Sequence, residues 1–328
     1  MLALLVTVLP RAEILLLVGG SAGLLAAVSL LTRAMVRPAD AGPLPRVLAH
    51  WLAMACVAIS ATLMREYRMA LAVVFGTSVA LLSIVPGALC FSGSHGRVPR
   101  RWSGVWLFAP VVAAMTFAAG LGGRLTWWEA TALLLQGLIV MLSAKGDAAG
   151  DDLPTALRDP PIRWSIGRGA AIAAILCLLL VGAWAAVRGG AALALRDGRV
   201  SSTAIATGFL SAVLALPVIR SGTLLALSRR GWAAVNVCVL LVMLNLCVLL
   251  PAVVFLRLGQ AWSRGEEVAA LDYPLANWRI DALLLVVLSM WLVPVALGRL
   301  RPDWLTGTAL VVLYGGYVLL TILPSGLG

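Results

Sequence analysis

The sequence predicts an all-α polytopic membrane protein, and three observations carry that reading. Hydrophobic residues make up 62% of the 328 and charged residues 12%, with a mean hydropathy of +1.01, a balance that does not keep a domain of this length in solution. The apolar residues form continuous runs long enough to cross roughly 30 Å of hydrocarbon. They lack the alternation of barrel strands, so helices are expected to satisfy the backbone polar groups. Finally, GRLTWWEATALLL from Gly123 and GRLRPDWLTGTALVV from Gly298 repeat each other, each at the mouth of an apolar run.

Taken in order, the runs predict about ten spans. Five fall near Glu13 to Leu31, Val47 to Met64, Met69 to Phe91, Val105 to Leu121 and Thr126 to Ser143. A second five fall near Ala170 to Val187, Thr203 to Leu227, Trp232 to Leu256, Asp281 to Leu297 and Trp304 to Leu323. Each set holds a proline deep in one run, Pro86 or Pro251, at the same distance after an arginine, Arg65 or Arg230. A duplicated unit accounts for this recurrence, and an odd number of spans per unit forces the second to enter the membrane from the opposite side. The expected organisation is therefore a first five-helix repeat over 1–144, a connector over 145–168 and an inverted second repeat over 169–328. The connector, with Asp147, Asp151, Asp152, Asp159, Pro154, Pro160 and Pro161, reads as a solvated tether.

The net charge of +11 resides mainly in short loops, where arginines set orientation. Lys and Arg are more numerous on the side that holds Arg97, Arg100, Arg101, Lys145, Arg163 and Arg168. The expectation is an integral protein of the bacterial inner (plasma) membrane, with both termini outside and the connector cytoplasmic. No basic, aromatic-interleaved groove points to nucleic acid. The start, MLALLVTVLP, has no basic leader and reads as no removable signal. Cys56, Cys90, Cys177, Cys238 and Cys247 lie in or at the ends of apolar runs without CxxC spacing and read as packing residues. With two histidines, His50 and His95, no HExxH and no carboxylate pair within a span, no enzyme, metal site or cofactor is expected. Trp102, Trp106, Trp127, Trp128, Trp278 and Trp304 cluster at span ends as interfacial anchors. Glu13, Glu129 and Asp281 read as caps at helix starts.

The stretch from Val200 to Pro251 resembles the α-repeat of the sodium/calcium and cation/proton exchanger superfamily. A kinked helix leads into the turn Ser228, Arg229, Arg230 and Gly231, and a second helix comes next with Asn245 as its polar residue. In the first half, MREYRMALAVVFGTSVALLSIVPG looks like the matching turn and helix, with Gly76, Thr77 and Ser78 over the family's GSN. The resemblance implies a secondary carrier that alternates access around a midplane ion site. In that family each repeat supplies an acidic ligand. Here the second-half equivalent is Val218, after Leu216 and Pro217, or Arg220 if the turn fixes the register, and the first-half equivalent falls at about Met54, near His50 and Trp51.

Those replacements carry a consequence, because Ca²⁺ takes about six to eight oxygen ligands, normally with carboxylates among them. The expected activity is thus that of a divergent cation-antiporter-like carrier with an altered centre, not a typical Ca²⁺ exchanger. The alternative is a transport-inactive scaffold or partner protein of the same fold. Expected centre-lining residues are His50, Met54, Thr77, Ser78, Pro217, Val218, Arg220 and Asn245. Ser60, Thr62 and Ser211, with carbonyls near Pro217, are further oxygen donors for a monovalent ion or proton. Arg220 either stands in the old ion site or snorkels to the interface. Beyond the lipid bilayer and such ions, no protein partner is legible.

Overall fold

The computed structural model describes residues 2–35, 43–91, 100–148, 166–197, 201–227, 231–266 and 270–322. The first half comprises α1 (Leu2–Met35), α2 (Pro43–Leu63), α3 (Tyr67–Leu82), α4 (Ile84–Cys90), α5 (Arg100–Ala119) and α6 (Trp127–Ala148). The second opens with α7 (Ile166–Asp197) and α8 (Ser202–Ala204), which runs through a π-helical segment, Ile205–Leu210, into α9 (Ser211–Leu227). Next, α10 (Gly231–Leu244) passes through the π-helical segment Asn245–Leu249 into α11 (Leu250–Trp262). The chain ends with α12 (Leu275–Met290), α13 (Leu292–Ala296) and α14 (Trp304–Ile322).

Eight helical stretches among the described residues are long and apolar enough to cross a membrane, and Val105–Ala119 and Trp127–Leu142 are shorter apolar helices. Each expected span meets one of these, but α1 and α7 run well past the expected ends. Residues 149–165 of the expected connector and the turn residues Ser228, Arg229 and Arg230 lie outside the described residues.

One departure from an all-helical chain is an antiparallel ladder of two two-residue strands, β1 (Arg124–Leu125) and β2 (Leu271–Asp272). Pieces this short have no periodicity to read in the sequence. The ladder ties the first GRL turn to the start of α12. Both GRL turns place their glycine at positive φ, 71° for Gly123 and 69° for Gly298, where a side chain would be strained. After each comes a carboxylate that caps the next helix. Glu129 accepts from the N–H and hydroxyl of Thr126 at 2.7 and 3.0 Å, and Asp303 accepts from those of Thr306 at 2.9 and 2.8 Å.

The other two expected caps are corrected. Glu13 lies well inside α1, because the helix starts at Leu2. Asp281 lies in the second turn of α12, because Pro274 sets that helix's start, and its side chain is buried.

The core is organised around α3, 94% of whose span with α4 is buried, against 22% for the span of α14. Every residue of α3 from Met69 to Leu82 is buried. Small residues permit such packing. A Cβ on Gly76 would meet Ser211 Oγ and lie 3.1 Å from Thr207 Cα. α1 and α7 approach backbone to backbone along Gly20, Gly182 and Gly189, as small residues allow in lipid.

Packing and capping each predict a measurable effect. A Cβ on Gly20 would lie 2.5 Å from Ala186 N and 2.7 Å from Gly182 O, both rigid backbone, so Gly20→Val must part α1 from α7. The expected cost is about 1–3 kcal/mol, read as a lower melting temperature of the purified protein in detergent. At the other end, the backbone bond from Thr306, then its hydroxyl bond, hold the Asp303 carboxyl below its ordinary range. A depressed folded pKa gives stability that is full above the unfolded value, about 3.9, and lost as pH falls through the folded value. Asp303→Ala should therefore melt lower than wild type near neutral pH, with the gap closing in acid; a pH series of melting curves checks it.

Candidate functional site

The site is built where α3 meets the second π-helical segment. Thr77 and Ser78 face inward from α3, fully buried, and their hydroxyls donate to their own helix, Thr77 to Val73 O at 2.6 Å and Ser78 to Val74 O at 2.7 Å. Donating to the preceding turn is how a hydroxyl is satisfied in lipid, and it leaves the oxygen lone pairs free to accept. Asn245 uses them: its Nδ2 lies 3.3 Å from Thr77 Oγ1, 3.3 Å from Ser78 Oγ and 3.6 Å from Met54 Sδ. Only a donor can face hydroxyls already committed to carbonyls, which fixes the amide's orientation. Its other end, Oδ1, is buried without a hydrogen-bond partner.

Helix irregularity brackets this cluster. Asn245 opens the π-helical segment Asn245–Leu249, and Pro251 then has no N–H to return to it. On the α3 side, Ser83 breaks the helix before Pro86, and its hydroxyl donates to Val79 O. In α9, Pro217 withdraws the helical bond that would reach Val213 O. Ser211 bridges its own π-helical segment, its hydroxyl 2.9 Å from Ala206 O. Backbone carbonyls relieved of helical donors at such breaks are what carriers use to hold ions.

Of the eight residues expected at the centre, Met54, Thr77, Ser78 and Asn245 come together in this cluster. His50 and Pro217 line a separate narrow pocket with Leu24, Val28, Ala53 and Leu214, where both imidazole nitrogens of His50 are buried without a partner. Val218 is buried in the core, and Arg220 lies on the exposed face of α9, outside the cluster. Thr62 bonds Ala58 O within α2 and Ser60 is buried.

Two tryptophans expected as interfacial anchors are corrected to core residues. Trp106 is fully buried and donates to Asn236 Oδ1 at 3.1 Å. Trp278 is buried, stacks edge-on against Phe75 at 4.9 Å and donates to Phe117 O at 3.3 Å. Room for Trp278 comes from Gly120, where a Cβ would overlap the indole. Trp127, Trp128 and Trp304 are exposed, as anchors should be.

Sequence reasoning misplaces the one acid among the buried described residues of this core. Asp281 accepts from Tyr273 at 2.9 Å and from Tyr317 at 2.8 Å, all three buried. The signal is present, a lone acid near an apolar run with a tyrosine on either side in sequence, but a charge in that place also marks a helix start.

Solved structures share this helical fold. The chain has the fold of solved ion-exchanger structures. It superimposes on the H⁺/Ca²⁺ exchanger CAX with a TM-score of 0.69 at 15% identity, covering 94% of this chain and 86% of that one. For native YfkE the TM-score is 0.68 at 15% identity, covering 96% of each chain. For the sodium-calcium exchanger NCX_Mj it is 0.57 at 15% identity, covering 94% of this chain and 95% of that one. No protein-family model and no curated protein matches the sequence.

The geometry predicts that Asn245 and Ser78 are energetically coupled. A double-mutant cycle with Asn245→Leu and Ser78→Ala should return a coupling of roughly 1 kcal/mol, the scale of hydrogen bonds between membrane helices, in equilibrium unfolding.

Proposed function

We infer that the chain is a secondary active ion carrier of the antiporter type, whose centre is neutral where calcium exchangers of this fold carry acid. The observation that carries this reading is the unpartnered Oδ1 of Asn245, an acceptor buried beside Thr77 and Ser78 at a helix break. An unsatisfied buried acceptor costs about 1–3 kcal/mol, and a cation or proton donor that docks there recovers it. Neutral oxygens suit a monovalent cation or hydronium, since a divalent ion gives up too much hydration without carboxylates.

The architecture proposed is ten spans in two inverted repeats of five, with 145–168 as the connector. Supporting it are the recurring positive-φ glycines of the two GRL turns, their matching carboxylate caps, and the placement of Pro86 and Pro251 after a helix interruption. His50 and Pro217 would line the path beside the centre, and Val218 would back it. The proposed location is a bacterial inner membrane, with the connector cytoplasmic.

Reconstitution into liposomes tests the function. The carrier takes up sodium or protons in a gradient-dependent way, and Asn245→Leu reduces that flux at least tenfold. Absence of gradient-driven flux across sodium, calcium and protons would leave the transport-inactive scaffold as the reading. Asn245→Asp, which places a charge at the midpoint, should raise calcium uptake above wild type.

A further inference from the structure

A second polar site lies between the GRL turn and the centre. Asp281 sits in the second turn of α12, about 9 Å along the helix from its first residue at 1.5 Å per residue. It is 2% exposed, Tyr273 4% and Tyr317 2%. Both carboxylate oxygens are engaged, Oδ2 by the Tyr273 phenol and Oδ1 by that of Tyr317, and no cation pairs with Asp281 among the described residues. An ionised carboxylate in hydrocarbon without a counter-charge is expensive, and such residues mark proton or ion pathways. Two phenols give it a pair of donors when ionised, and each hydroxyl also accepts when it is protonated. A purely structural hydrogen bond across α12 and α14 needs no group that can change charge.

We propose that Asp281, with Tyr273 and Tyr317, forms a proton-binding site distinct from the Asn245 centre. In uptake, hydronium gives its proton to a carboxylate oxygen of Asp281, an O–H bond forms and water leaves; release returns the proton to water. The new O–H donates to one of the two phenols, which turns from donor to acceptor. The other groups around it are few. Tyr314 of α14 packs beside Tyr317 with ring centroids 6.2 Å apart and donates to Thr207 O, and Arg68 of α3 acts electrostatically on Tyr273. Arg279 of α12 is exposed, and neither Val105–Ala119 of α5 nor α13 carries a titratable residue.

Phe75 connects the site to the centre. It lies two residues before Thr77, with its ring 4.9 Å from that of Trp278 and 6.3 Å from that of Tyr273. Tyr314 reaches Thr207, in the π-helical segment that Gly76 touches. Rearrangement of the phenols on protonation therefore acts on both sides of α3. A role for the proton as counter-ion rests on the carrier reading above; proton binding itself does not.

Infrared difference spectroscopy on the purified full chain tests this, comparing buffers at about pH 5 and about pH 9, on either side of neutrality and both above the ordinary carboxylate value. Wild type should gain the carbonyl-stretch band of a buried protonated acid on acidification, and Asp281→Asn, checked for folding by circular dichroism, should lose it. A wild-type spectrum without that band, or the same band in Asp281→Asn, overturns the proposal. If Asp281→Asn does not fold, Tyr317→Phe decides: a displaced pH for the band supports the site, and an unchanged one overturns it. The band without ion flux in liposomes would sink the carrier reading and leave the proton site standing.

Discussion

Everything in this molecule is constrained by the burial of α3. A helix surrounded by others in a bilayer has no water to repair a polar group, so each hydroxyl, amide and relieved carbonyl near it must find a protein partner or a bound ion. Thr77 and Ser78 meet that demand twice, donating to their own helix and accepting from Asn245. Gly76 lets the first π-helical segment close on the same helix, and Gly120 lets Trp278 close on Phe75 from the other side. The amide oxygen of Asn245 is the point in this cluster where the accounting does not close within the protein.

That orphaned acceptor gives the fold a chemical direction. Bundles of this architecture include the exchangers CAX and NCX_Mj, whose names state their calcium chemistry. In this chain the Asn245 cluster is an amide, two hydroxyls and a thioether, and among the described residues no group of three His, Cys, Asp or Glu gathers as a metal site. Among the described residues the acid that the core buries, Asp281, sits outside that cluster and is held by phenols. Among the described residues no charged side chain joins the Asn245 cluster, while an acid lies in a hydrogen-bonded pocket near the start of α12.

Much of this is legible in the residues. Length and continuity of apolar runs locate the helices, because spanning hydrocarbon dictates both. Asn245, Thr77 and Ser78 stand out as the polar members of otherwise apolar helices, and Met54 falls out of counting back from the turn. Register is harder to read. Pro217 removes a helical bond and the π-helical segments each insert extra backbone, so a helical wheel drawn at 3.6 residues per turn mislocates the side chains beyond each break. Arg220, which the turn-based register carries to the ligand position, is exposed on α9. Asp281 and Trp278 read as helix-end residues because a charge and an indole usually belong there; only the tyrosines across the fold and the space at Gly120 make their burial possible.

The most direct test of a neutral centre is equilibrium binding of calcium and sodium to the purified wild-type protein, measured by titration calorimetry at fixed ionic strength. The account predicts no saturable calcium binding at about micromolar concentration, where the best carboxylate-rich sites are filled, and a sodium or proton-linked signal that Asn245→Leu abolishes. Saturable micromolar calcium binding that survives Asn245→Leu would contradict it.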